Sequence, residues 1–124
     1  MNTADRRFDY AMFRGRQSVT VTQMRNRLTA TKRAARADAS ANYAFARALA
    51  NPPAAWPANV TAPAAAIQST SLRLSVVYGH IATASGPRGV FYWYARLEAP
   101  TNATALPVRT LRANLNLPNA GGGC

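Results

Sequence analysis

Polar and apolar residues alternate near the start of the chain. Phe8, Tyr10 and Met12 are separated by polar or small residues, and Val19 and Val21 lie within a second alternating stretch of threonine and serine. A period of two is typical of extended chain, and the intervening Arg-Gly-Arg sequence is suited to a turn. Residues 1–21 are therefore predicted to form an extended basic arm or a short hairpin.

The pattern changes between residues 22 and 50, which contain neither proline nor glycine and are rich in alanine, arginine and threonine. At about 100° per residue, Met24, Leu28 and Ala35 share one side of a helix. The sequence Asn51-Pro52-Pro53 then provides a stop signal. Residues 22–50 are predicted to form one long basic amphipathic helix.

The second half of the chain predicts β structure. Residues 51–70 are rich in proline and alanine, which is typical of a stiff linker or strap. From Leu72 through Leu74 and Val76 to Tyr78 the apolar residues again alternate, and two similar stretches follow. Residues 71–118 are predicted to form a three-stranded antiparallel β meander, followed by a flexible glycine tail over residues 119–124. The predicted fold class is α+β.

Charge adds a functional expectation to this outline. The 124 residues include 15 lysines and arginines against 4 acidic residues, giving a net charge of +11. Such a balance favours polyanionic partners, and arginine is the cation best suited to bidentate contact with phosphate. The residues predicted to contact nucleic acid or an acidic partner are Arg14, Arg16, Arg25, Lys32, Arg33, Arg36 and Arg47.

The aromatic run from Phe91 to Tyr94 has two interpretations. On a strand, Phe91 and Trp93 would face the core, while Tyr92, Tyr94 and Arg96 would share the opposite face. Tyrosine and arginine are enriched at interfaces, so a subunit interface is favoured, and stacking on unpaired bases is the alternative. The predicted interface residues are Tyr92, Tyr94, Arg96 and Trp56.

Several classes of function find little support in the composition. With one cysteine, Cys124, and one histidine, His80, the usual soft ligands of a metal site are missing, so no metal or other cofactor is expected. No motif for an enzyme or a small-molecule substrate stands out, and no apolar run approaches the roughly 20 residues that cross a bilayer. We therefore expect neither catalysis nor membrane insertion.

These observations favour a non-enzymatic structural subunit of a large assembly. The first expectation is a small virion structural protein, such as a capsid, cement or minor head component, whose partners include nucleic acid and copies of itself. The small number of bulky apolar residues agrees with a need for neighbouring subunits. The alternative is an RNA-binding accessory subunit of a ribosomal or organellar ribonucleoprotein complex, located in a ribosome or mitochondrion.

Overall fold

A computed structural model describes residues 13–14 and 17–118. Two short strands, β1 (Phe13–Arg14) and β2 (Gln17–Ser18), pair antiparallel ahead of the helices. The helices are α1 (Val21–Ala50), α2 (Ala58–Ala82), α3 (Pro87–Tyr94) and α4 (Glu98–Asn114), and a 3-10 turn (Ala95–Leu97) joins α3 to α4. Residues 1–12 of the predicted arm and the predicted tail, 119–124, lie outside the described residues.

The predicted helix over residues 22–50 is confirmed as α1. Its first turn is closed by a capping box, in which Thr20 Oγ1 accepts a hydrogen bond from the Gln23 backbone N–H at 3.2 Å. Gln23 Oε1 in turn accepts from the Thr20 backbone N–H at 2.9 Å. At the other end, the backbone and side-chain N–H groups of Asn51 both donate to the Arg47 carbonyl. The local sequence signals therefore suffice to define both ends of this helix.

The predicted α+β fold is wrong, because residues 71–118 contain no strand and the predicted β meander is replaced by the end of α2, α3 and α4. Leu74, Tyr78 and Ile81 follow one another at intervals of four and three residues, which places them on one side of a helix. All three pack into the core, whereas Leu72 and Val76 are exposed. Leu74, Tyr78 and Ile81 thus fit the helical period of 3.6 residues, and tertiary packing selects this period over the period of two.

The predicted proline-rich linker over 51–70 is also wrong beyond residue 57, because α2 begins at Ala58. Pro57 is the N-cap of this helix, a position where a missing N–H has no cost, and Pro63 is accommodated inside it. The alanines that follow are strong helix formers, and the burial of Val60 and Ile67 adds tertiary packing that favours the helix.

Helix α2 is the central element, since it packs against α1 on one side and α4 on the other. Ser75 Oγ on α2 donates to the Ala39 carbonyl of α1 at 2.8 Å. Asn59 and Asn114 exchange side-chain to backbone hydrogen bonds of 2.6 and 3.4 Å, which tie the start of α2 to the end of α4. Both neighbours therefore run antiparallel to α2. One cluster of the buried core comprises Val19, Met24, Ala34, Ala35, Ile81, Ala82, Ala84, Val90 and Leu97.

Truncating a residue of this core tests the packing directly. Ile81 is 0% exposed, whereas Leu106 on α4 is 68% exposed. We expect Ile81→Ala to lower the free energy of unfolding by about 2–5 kcal/mol, because it removes buried methyl groups and leaves a cavity. The matched control Leu106→Ala should change it by less than about 0.5 kcal/mol. Urea denaturation followed by circular dichroism measures both, and equal losses would contradict the described packing.

Candidate nucleic-acid interface

One side of α1 carries the cations that the sequence predicted. Arg25, Lys32, Arg33, Arg36 and Arg47 fall within an arc of about 100° around the helix axis, and we call this set the cationic face. Its four arginines are exposed, and Lys32 is half-buried. Three of the arginines recur every 11 residues, a rise of about 16 Å along the axis, so the charge extends over most of the helix.

The acidic residue of α1 lies on the side of the helix opposite the cationic face, so it does not offset the charge there. Asp38, the only acidic residue of α1, is 0% exposed and lies on the buried side with Met24 and Ala35. Beyond α1, Glu98 is the only exposed acidic residue between positions 19 and 118. The burial of Asp38 therefore leaves a surface of a single sign, which attracts anions over a distance set by the ionic strength.

An aromatic ring lies among these cations. Tyr43 is 50% exposed, and the Arg47 guanidinium lies 5.9 Å from its ring centroid, at the outer limit of a cation–π contact. The two other cations predicted to join the surface precede α1. Arg14 lies in β1, and Arg16 falls outside the described residues.

A second group of side chains lies where the end of α2 meets α3 and the 3-10 turn that follows it. The rings of His80 and Trp93 stack with centroids 3.9 Å apart and an angle of 8° between their planes. Tyr92 meets Trp93 edge to face at 5.1 Å. The Arg96 guanidinium lies 3.4 Å from the Tyr92 ring centroid, and Arg96 Nη1 donates to the Tyr92 carbonyl at 2.8 Å. We call His80, Tyr92, Trp93 and Arg96 the aromatic–arginine cluster.

The predicted common face of Tyr92, Tyr94 and Arg96 is wrong. Residues two positions apart in the sequence share a face on a strand, but on a helix they lie about 200° apart around the axis. Tyr94 accordingly packs against the core, while Tyr92 is 52% exposed beside Arg96, one turn further on. Trp56, the fourth predicted interface residue, is half-buried and its Nε1–H donates to the Leu49 carbonyl at 3.0 Å, so it closes the end of α1.

Sequence reasoning did not place His80 or Trp93 in a surface cluster. The helical interpretation supplies the missing signal, because Arg88, Tyr92 and Arg96 recur every four residues and therefore lie along one side of α3 and the turn after it. The stacking of His80, which comes from another helix, depends on how α2 packs against α3. No pattern within either segment contains that information.

The described residues hold no group of three histidine, cysteine, aspartate or glutamate side chains placed to hold a metal ion. None of the described helices combines the length and the hydropathy needed to cross a bilayer. Comparison of the chain with protein-family models, with curated proteins and with solved structures found no match. Function is therefore inferred from the chemistry of the cationic face and the aromatic–arginine cluster.

The separation of the two tyrosines has a measurable consequence. We expect Tyr94→Ala to lower the free energy of unfolding by about 1–3 kcal/mol, because its ring packs against the core. Tyr92→Ala should lower it by no more than about 1 kcal/mol, the value of an exposed cation–π contact. Chemical denaturation of the two variants distinguishes the faces, and similar losses would indicate that the rings share one environment.

Proposed function

We propose that the protein is a non-enzymatic structural subunit of a large assembly and binds nucleic acid through the cationic face of α1. The observation that carries this proposal is the arrangement of charge on α1, with four exposed arginines on one side and its only acidic residue fully buried. A solvated helix face normally mixes charges of both signs, so that like charges do not repel. A face of one sign on a folded helix is typical of a surface that meets an anionic partner.

The chemistry of this face favours the phosphate backbone. Arginine presents a planar fork of N–H donors that matches two phosphate oxygens, and each contact releases condensed counterions. The 30 residues of α1 extend over about 45 Å, long enough to follow several consecutive phosphates. Phosphate contacts fix position and carry no sequence information. Binding through the cationic face is therefore expected to depend on charge and shape and to be indifferent to base sequence.

The assembly that we favour is a virion, with the protein as a small capsid, cement or minor head component. Its high positive charge suits a protein that neutralises packaged nucleic acid. Contacts with other copies would use exposed apolar side chains, and Leu72 and Val76 on one side of α2 are 38% and 61% exposed. An RNA-binding accessory subunit of a ribosomal or organellar complex is the alternative, and it would use the same cationic face.

Two exposed cations of the face are compared with two exposed cations elsewhere. We expect Arg33→Gln/Arg36→Gln to weaken binding to a nucleic-acid duplex and to reduce the slope of log affinity against log salt by about 1.8, which corresponds to two phosphate contacts. The control Arg73→Gln/Arg109→Gln removes the same charge from α2 and α4, where both residues are exposed. Its slope should change little. Titrations at several salt concentrations by fluorescence anisotropy measure these effects.

Equal changes in slope for the two double variants would show that binding responds to net charge alone, which contradicts a role for the cationic face. An unchanged slope in Arg33→Gln/Arg36→Gln, with the fold intact by circular dichroism, would contradict it as well.

The type of assembly is tested on the particle isolated from the native source. For a virion component, we expect many copies of the protein in one particle whose nucleic acid survives nuclease treatment, because a closed shell excludes the enzyme. Nuclease digestion with copy number determined by mass spectrometry measures this. RNA that is digested, with the protein at one copy per particle, would contradict the virion assignment and support the ribonucleoprotein alternative.

A further inference from the structure

The aromatic–arginine cluster forms an ordered stack that ends at the protein surface. Trp93 is half-buried and packs against the core, so its position is fixed by the fold. His80 lies parallel to it at 3.9 Å and is itself exposed. Trp93 covers one face of the imidazole, and the exposure of His80 makes part of this residue accessible to solvent. An exposed aromatic residue that the fold holds in place is a platform on which a further planar ring can stack.

Arg96 places a positive charge of fixed orientation beside this stack. Its guanidinium lies on the Tyr92 ring at 3.4 Å and 5.7 Å from the Trp93 ring centroid. The hydrogen bond from Nη1 to the Tyr92 carbonyl fixes its orientation and uses one of its five N–H donors. Arg96 is exposed, so its remaining donors can reach a phosphate next to a stacked base.

The surroundings of the cluster are positively charged. Arg88 is exposed and lies one helical turn before Tyr92, so that two arginines flank the ring at intervals of about 6 Å. Helix α3 contains no acidic residue, and the nearest acid along the chain is Glu98. Planar rings between cations are the combination by which proteins hold unpaired bases, because the rings stack on the bases while the cations contact the backbone.

We propose that the aromatic–arginine cluster is a stacking site for an unpaired base of single-stranded nucleic acid, with Arg88 and Arg96 contacting the adjoining phosphates. This inference rests on the proposed function and deepens it, since it names single-stranded nucleic acid as a form that the protein binds in addition to a duplex. A base in a duplex is stacked on its neighbours and does not expose a face to the site. Every base has such a face when unpaired, so the site tolerates any sequence.

The experiment compares two strands that differ only in their bases. One is a fluorescent 12-nucleotide thymidine strand, and the other is an abasic strand of the same length and phosphate charge. We expect the unmodified protein to bind the thymidine strand about tenfold more tightly at equal salt, because the stacking of one base contributes that much. Fluorescence anisotropy measures both affinities. Equal affinities would overturn the stacking proposal, and this comparison requires no variant.

Variants then locate the preference in the cluster. We expect His80→Ala/Tyr92→Ala to bind the two strands with nearly equal affinity, and His80→Phe to retain the preference because it keeps a planar ring. The matched control is Phe45→Ala on α1, since Phe45 is 51% exposed and Tyr92 is 52% exposed. This control should retain the full preference. A preference that survives in His80→Ala/Tyr92→Ala would overturn the assignment of the site.

Failure of this proposal is distinguishable from failure of the proposed function. If both strands bind equally and their binding weakens in Arg33→Gln/Arg36→Gln, the cationic face acts alone and only the stacking proposal is overturned. If neither strand binds but a duplex does, only the stacking proposal is overturned, and if no nucleic acid binds in either form, the proposed function fails together with it. If His80→Ala/Tyr92→Ala instead weakens binding of polyglutamate and leaves the base preference unchanged, the cluster is a contact for an acidic protein and the stacking proposal is overturned.

Discussion

The close packing of α1 against α2 is the interaction on which the rest of the structure depends. The buried side of α1 is lined largely by small residues, among them Ala34, Ala35 and Ala46, which allow the helices to approach closely. The two helices lie close enough for the Ser75 hydroxyl to donate a hydrogen bond to the backbone carbonyl of Ala39. Because the small residues must face α2, the rotation of α1 about its own axis is fixed. The arginines on its other side are thereby directed into solvent.

The extent to which the fold could be predicted differs between its two halves. Helix α1 was predictable, since its composition and its stop signal agree. The second half was not, because Leu72, Leu74, Val76 and Tyr78 satisfy a period of two, whereas on a helix only Leu74 and Tyr78 fall on the side of Ile81. Only packing against the core separates Leu74 and Tyr78 from the other two, which are exposed. Pro57 and Pro63 also favoured the prediction of a linker over residues 51–70, because a proline near the start of a helix has the same local signature as a proline in a linker.

The site shows the same division. The cationic face follows from the sequence once α1 is recognised, because the angular position of each arginine depends on helix geometry alone. The aromatic–arginine cluster required two further pieces of information: that residues 87–94 are helical, and that His80 from α2 lies against Trp93. The sequence pattern of residues 87–94 predicts a strand instead, and the contact of His80 with Trp93 is a tertiary one. Sequence patterns therefore located the charge but not the stacked rings.

The two sides of α2 differ in how far along the chain their partners lie. The α1–α2 pair is a hairpin connected by the short linker over residues 51–57, so little chain entropy is lost when it closes. The bonds between Asn59 and Asn114, by contrast, join residues 55 positions apart. Local contacts form faster than distant ones, which favours an order of folding in which α1 and α2 associate before α4 docks. In this order the arginines of α1 reach their final arrangement before α4 docks, so the surface that meets a polyanion forms from local contacts alone.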